Sequence, residues 1–147
     1  MSESDTTEQD SEFDIERIAK RLGMLCKFSG EVSKFQSIAE HRVMVSLLME
    51  EFDLGNPLEG LIADPTLPNN IREHHHLPVE QTNGCREARG WGDAIQAIKL
   101  LPYGSKGFPP ECIAKAEDLI KKGWIPLNLY PEEAEQAFMR RYKKLVP

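Results

Sequence analysis

Residues 37–52 read SIAEHRVMVSLLMEEF, and this stretch contains the clearest helix start in the chain. Ser37 and Glu40 have the spacing of a capping box, in which each side chain satisfies an otherwise unpaired backbone donor of the first turn. The pattern predicts a helix with His41 pointing inward, because His41 shares one helical face with apolar residues. These apolar residues are Ile38, Val45, Leu48 and Phe52.

Helical spacing recurs in the rest of the chain, and no segment shows the sustained alternation that is typical of a strand. Pro131 suits the first position of a last helix. The polar segment 69–84 is predicted to be a loop. The sequence therefore predicts an all-α fold, a compact bundle of about five to six helices. The apolar faces lie in 15–22, 38–52, 58–62, 91–98, 113–120 and 134–145.

Length and composition fit one globular domain. The chain has 147 residues, of which 40% are hydrophobic and 29% charged. We expect 13–147 to form a single helical domain, and the acidic, polar segment 1–12 to be a disordered leader. No run approaches the roughly 20 apolar residues that a membrane span needs.

Charge and cysteine content narrow the choice of partners and compartment. A net charge of −6 disfavours extended nucleic-acid binding, since the phosphate backbone attracts basic surfaces. Three cysteines without metal-site spacing suggest free thiols in a reducing compartment. The acidic N-terminus is unlike a signal peptide. These features together predict a cytoplasmic protein.

Two sets of residues are candidates for metal binding. His41, Asp64 and Asp93 would bring one imidazole and two carboxylates from three helical segments, a combination that suits a divalent first-row metal. The alternative for His41 is a buried imidazole bonded to a backbone carbonyl. His74, His75 and His76 form either a solvated run or a source of one or two loop ligands, since adjacent side chains on a helix diverge by about 100°.

Residues 18–45 and 129–139 resemble the HD-domain metal-dependent phosphohydrolases, most closely the small bacterial and phage members that act on deoxynucleotides. The run Ser37-Ile38-Ala39-Glu40-His41 is similar to the Ser-Val-Ala-Glu-His motif of that family. The resemblance implies an HD-like helical fold with His41 as the first metal ligand.

The middle of the chain departs from the family pattern. Where the family has His-Asp followed by a catalytic Glu, this chain has Ala63-Asp64 and then Leu67. Asp93 is the candidate for the last metal ligand, although Lys99 stands where a further acid is expected. Loss of one ligand predicts weakened binding of Mn, Co, Fe or Mg, and loss of the Glu removes a general acid or base. No catalytic residue is assigned.

The resemblance also implies a ligand pocket. Lys27 stands where the family often carries an Arg before an aromatic residue, and we expect Lys27, Phe28 and Phe35 to contact a bound ligand. The favoured hypothesis is a non-catalytic protein that binds a nucleotide or a protein partner as a sensor, sponge or regulator. The alternatives are an active metal-dependent phosphohydrolase with a rearranged site and a helical protein-interaction module. Family members often self-associate, so a homo-oligomer is also expected.

Overall fold

The computed structural model describes residues 14–27, 36–63, 67, 69–78, 80–101, 106–125 and 129–146. Within these ranges the chain forms seven helices and no strand, which confirms the predicted all-α class with slightly more helices than expected. Several sequence predictions lie outside the described residues, namely the leader 1–12 and the candidates Phe28, Phe35 and Asp64.

The helices in chain order are α1 (Ile15–Met24), α2 (Ile38–Glu51), α3 (Pro57–Ile62), α4 (Asn69–His74), α5 (Asn83–Leu100), α6 (Pro110–Lys121) and α7 (Pro131–Leu145). None of these helices is both long enough and apolar enough to cross a membrane. Pro131 occupies the start of α7, as the sequence predicts, because its missing N–H would be unpaired there in any case.

The predicted loop 69–84 is partly helical. It contains α4, and α5 begins at Asn83, well before the apolar spacing that starts at Trp91. The start of α5 is set by Thr82, whose hydroxyl accepts from the Cys85 N–H at 3.3 Å. The buried carboxylate of Glu59 in turn accepts from the Thr82 N–H at 2.7 Å and from its hydroxyl at 2.8 Å. Helix α4, with six residues, has too few turns for its periodicity to stand out in the sequence.

Helix α2 lies between two apolar clusters and contributes to both. The first cluster joins α2 to α1, α3, α4 and α7, and the second joins it to α5 and α6. Buried members of the first are Ile18, Leu22, Leu61, Ile71 and Phe138, and of the second Val45, Leu48, Met49, Ile95 and Leu119. The central position of α2 means that its polar residues are buried wherever they face a neighbouring helix.

A buried polar group anchors the second half of α2, and we call it the Arg141 cluster. Arg141 donates through Nε to the Ser46 hydroxyl at 2.9 Å, and through Nη2 to the Glu50 carboxylate at 2.6 Å and the Ser46 carbonyl at 3.3 Å. The Ser46 hydroxyl itself donates to the carbonyl of Pro57 at 2.8 Å. These bonds tie α7 and α3 to α2.

Gly84 sets the position of α5 against the turn after α2. A Cβ atom at this position would collide with the carbonyl oxygen of Leu54. By contrast, a Cβ at Gly90, farther along the same helix, would meet only the Cys112 sulfur at 3.5 Å, an ordinary contact. The close approach at Gly84 therefore requires glycine and fixes how far α5 slides along its neighbours.

Candidate functional site

Lys27 is held beside the start of α2 by backbone hydrogen bonds. The Lys27 N–H donates to the Gln36 carbonyl at 2.6 Å, and the Ile38 N–H donates to the Leu25 carbonyl at 2.8 Å. Both bonds belong to an isolated antiparallel bridge. Because Lys27 comes three residues after the end of α1 and Gln36 directly precedes the residue that caps α2, the bridge brings the lysine to the N-terminal end of α2.

His41 is buried, as its sequence spacing predicts, with 2% of its surface exposed. Its Nδ1 lies 2.9 Å from Gln96 Oε1, and its Nε2 lies 3.3 Å from Asp93 Oδ1. Asp93 and Gln96 are three positions apart on α5 and so share one face of that helix. The partner of Nδ1 is therefore a side-chain amide, and not the backbone carbonyl of the alternative interpretation.

The direction of the hydrogen bonds around His41 follows from Glu40. A side-chain hydrogen bond from Gln36 to Glu40 lowers the pKa of that carboxyl, so Gln36 donates through its amide nitrogen. Gln96 Nε2 then donates to Gln36 Oε1 at 2.9 Å. The remaining Gln96 oxygen can only accept, so it takes the hydrogen on His41 Nδ1.

His41 is neutral at physiological pH. Burial lowers its pKa to about 3, and the negative charge of Asp93 offsets only part of that effect. With the single ring hydrogen on Nδ1, the unprotonated Nε2 faces Asp93 Oδ1. The structure thus places two acceptor atoms opposite each other, an arrangement that requires positive charge nearby.

Lys27 supplies this positive charge. Its Nζ lies 2.9 Å from Asp93 Oδ1, and the two side chains are 17% and 24% exposed. Neither His41 Nε2 nor Asp93 Oδ1 makes a hydrogen bond of good geometry within the described residues, so the attraction of Lys27 is chiefly ionic. We call Lys27, His41 and Asp93 the Lys27 cluster; its lysine and aspartate reach the surface, whereas its histidine does not.

Glu40 has a different role from the one that its sequence position predicts. The Ser37 hydroxyl accepts from the Glu40 N–H at 3.0 Å, which confirms the first half of the capping box. The Glu40 carboxylate, however, accepts from the Leu129 N–H at 3.2 Å, 89 positions along the chain. Burial raises the pKa of Glu40 to about 7. Its second oxygen, Oε2, has no hydrogen-bond partner within the described residues.

The predicted metal ligands are only partly brought together. His41 and Asp93 are neighbours, whereas Asp64 lies outside the described residues. The described residues contain no group of three or more His, Cys, Asp or Glu side chains that could hold a metal ion. His41 Nε2 and Asp93 Oδ1 are only two ligand atoms, and the Lys27 ammonium lies beside them. This arrangement does not fit a divalent cation, because such an ion needs more ligands and is repelled by the lysine.

The histidine run is engaged elsewhere. His75 Nε2 lies 2.9 Å from the hydroxyl of Tyr142 on α7, and the two rings meet edge to face. His74 packs edge to face on His75. Burial lowers the pKa of His75 below its ordinary value, and the neighbouring histidines lower it further. The run therefore contacts the C-terminal helix, and the structure does not bring it to the Lys27 cluster.

Gln36 and Gln96 belong to the site, and neither is among the residues that the sequence predicts for it. Both are buried, with 1% and 0% of their surface exposed, and both are needed to set the protonation of His41. Amides have no characteristic spacing, so the only available signal was Gln96 lying three residues after Asp93 among apolar neighbours.

In comparisons with known proteins, no family model matches the chain and no curated protein matches it.

Proposed function

We propose that this chain is a degenerate HD-domain phosphohydrolase-like protein that binds a nucleotide without hydrolysing it. In this proposal, the Lys27 ammonium takes the place that a divalent cation would occupy beside His41 and Asp93. The observation that carries the proposal is the 2.9 Å contact between Lys27 Nζ and Asp93 Oδ1, with His41 Nε2 facing the same oxygen. The similarity of residues 37–41 to the family motif supports the assignment of His41 to the ancestral site.

The chemistry of the cluster favours binding over hydrolysis. A lysine ammonium can pair with a phosphate oxygen as a point charge, but it cannot lower the pKa of a bound water as a divalent metal does. His41, with its pKa near 3, supplies no proton at neutral pH. The cluster thus offers an ammonium group paired with the Asp93 carboxylate, and no acid or base matched to neutral pH.

The partial exposure of the lysine supports a phosphate-bearing ligand. Lys27 and Asp93 retain 17% and 24% of their side-chain surface, so an anion from solvent can reach the ammonium. A phosphate group would compete with Asp93 for this charge. The family resemblance adds Phe28 and Phe35 as residues that contact the bound ligand, which stays a prediction.

The test is calorimetric titration of the full-length chain with deoxynucleoside monophosphates, together with an assay for released phosphate. We expect binding without phosphate release, with or without added Mn²⁺ or Co²⁺. Lys27→Met should weaken binding by about tenfold or more, because it removes a charge-assisted contact. The matched control is Lys20→Met, which removes an exposed lysine of α1. Failure of the folded protein to bind, or equal binding by Lys27→Met, would contradict the proposal.

The alternative is an active metal-dependent phosphohydrolase, and one observation favours it. The hydrogen bond from Nδ1 to Gln96 leaves Nε2 of His41 unprotonated, as it is in metal-ligating histidines. The further ligands would have to come from outside the described residues, where Asp64 lies. Stoichiometric Mn²⁺ or Co²⁺ by elemental analysis, with phosphate release that His41→Asn abolishes, would establish this alternative and overturn the first proposal.

A further inference from the structure

A cavity of about 190 Å³ lies beside α2, about a quarter of a turn round the helix from His41. It opens between α2 and the residues that follow α6. Glu40 forms part of its wall, and the rest is mainly apolar: Val43, Met44, Leu47, Trp124 and Ile125. Two of these side chains lie at the surface, since Leu47 is 38% exposed and Ile125 is 51% exposed.

Helix geometry separates the cavity from the Lys27 cluster. The cavity-lining positions of α2 recur at three- and four-residue spacing and so form one stripe. His41, one position after Glu40, is turned by about 100° toward α5, where it contacts Asp93 and Gln96. A ligand in the cavity therefore meets Glu40 and not the imidazole.

The carboxylate in the wall is incompletely satisfied. Glu40 is 3% exposed, and its Oε2 has no hydrogen-bond partner within the described residues. In that part of the chain, no cationic side chain influences the carboxyl; the partners that act on it are the Leu129 N–H and the Gln36 amide. A buried carboxylate without a counter-charge is costly, so the site favours any ligand that brings a positive charge and an N–H donor.

We propose that this cavity binds a small primary amine with a compact aromatic or branched aliphatic body, its ammonium pairing with the carboxyl group of Glu40. The volume fits this class, because a cavity of roughly 150 Å³ accommodates benzene and the remaining space holds a short carbon arm. The apolar wall buries the body, and Trp124 adds the attraction of an aromatic ring for a cation.

The first experiment compares three probes of one shape on the intact protein by calorimetry: 2-phenylethylamine, 2-phenylethanol and phenylacetate. We expect the amine to bind at least tenfold more tightly than the alcohol, and the carboxylate to bind most weakly. Equal affinity for amine and alcohol would overturn the proposal, as would absence of amine binding to the folded protein at millimolar concentration.

The second experiment uses two matched pairs of variants. Glu40→Gln keeps an oxygen for the Leu129 N–H and should lose tenfold or more in amine affinity, whereas Glu51→Gln on the exposed face of α2 should not. Leu47→Lys places an ammonium at the mouth of the cavity and should also block the amine. Its control, Met24→Lys, changes an exposed apolar side chain that does not line the cavity. Undiminished binding by both test variants, each confirmed as folded by circular dichroism, would overturn the proposal.

Discussion

Buried polar side chains near the two ends of helix α2 differ in how completely their atoms are paired. In the Arg141 cluster, the guanidinium donates to a hydroxyl, a carbonyl and a carboxylate. The Ser46 hydroxyl in turn donates a hydrogen bond to the Pro57 carbonyl. At the other end of the helix, His41 Nε2 faces a carboxylate oxygen, and Glu40 Oε2 has no partner within the described residues.

This difference separates a structural group from a candidate functional one. A network that serves only to join helices is most stabilising when every donor meets an acceptor, as around Arg141. Opposed acceptors and an unpaired buried oxygen cost free energy, and such costs concentrate at sites that interact with ligands. The comparison thus points to the N-terminal half of α2 as the functional end and to the C-terminal half as the structural end.

The largest expected effect on stability comes from Arg141→Met. The change removes three hydrogen bonds from a side chain that is 5% exposed, whereas Glu50, at 48% exposed, regains water. We expect a loss of about 3 kcal/mol in the free energy of unfolding, measured with urea, and no loss of ligand binding in the protein that remains folded. Arg140→Met, at the exposed neighbouring position, should change stability by less than about 0.5 kcal/mol.

The second effect is a pH dependence that His41 introduces. Its pKa is near 3 in the folded protein and 6.5 in the unfolded chain, so the unfolded state binds the proton first as the pH falls. The contribution of a neutral His41 is therefore complete above pH 6.5 and is lost as the pH falls toward 3, by up to about 1.4 kcal/mol per pH unit. His41→Asn keeps a donor for Gln96, and the stability difference from wild type should shrink over this window. A difference that does not change with pH would contradict the assigned neutral state.

Glu40 should produce the opposite slope over a narrower window. Its pKa is about 7 when folded and 4.5 when unfolded, so its contribution is complete below pH 4.5 and declines as the pH rises through 7. In wild type the two slopes should nearly cancel between pH 4.5 and 6.5. Urea unfolding of Glu40→Gln across this range should therefore reveal the His41 slope alone. A curve parallel to that of wild type would show that Glu40 keeps its ordinary pKa.

The smallest effect on stability belongs to Lys27→Met. Both members of the Lys27–Asp93 pair are partly exposed, so the loss should stay below about 1 kcal/mol. The same change should strongly reduce nucleotide binding. Arg141→Met should do the opposite, lowering stability and leaving binding unchanged. A large destabilisation instead would show that Lys27 mainly stabilises the fold, as Arg141 does. The two ends of α2 would then not differ in function.

Much of the fold could be predicted from local sequence, because long amphipathic segments carry enough turns to show their period. Helix α2, its Ser37 cap and the inward position of His41 follow from residues within one helix. Helix α4 did not follow, since it has one buried apolar anchor, Ile71, among polar residues. The role of Glu40 did not follow either, because its partner Leu129 is remote in sequence.

The candidate site was predictable only in part. His41, Asp93 and Lys27 were identified separately, and the structure joins them. The sequence predicts that Lys27 contacts a bound ligand, and it does not predict the pairing of Lys27 with the Asp93 side chain. Distances between segments depend on packing, which no spacing rule within one segment can supply.

The collision that any Cβ would cause at Gly84 has a consequence for the side chains around His41. Asp93 and Gln96 lie on the same rigid rod as this glycine, the former about 14 Å away along the axis. A bulkier residue at Gly84 would displace or rotate helix α5, and Asp93 and Gln96 would then move away from the His41 imidazole. The arrangement of side chains around His41 thus depends on a position with no functional group of its own, which acts through its small size alone.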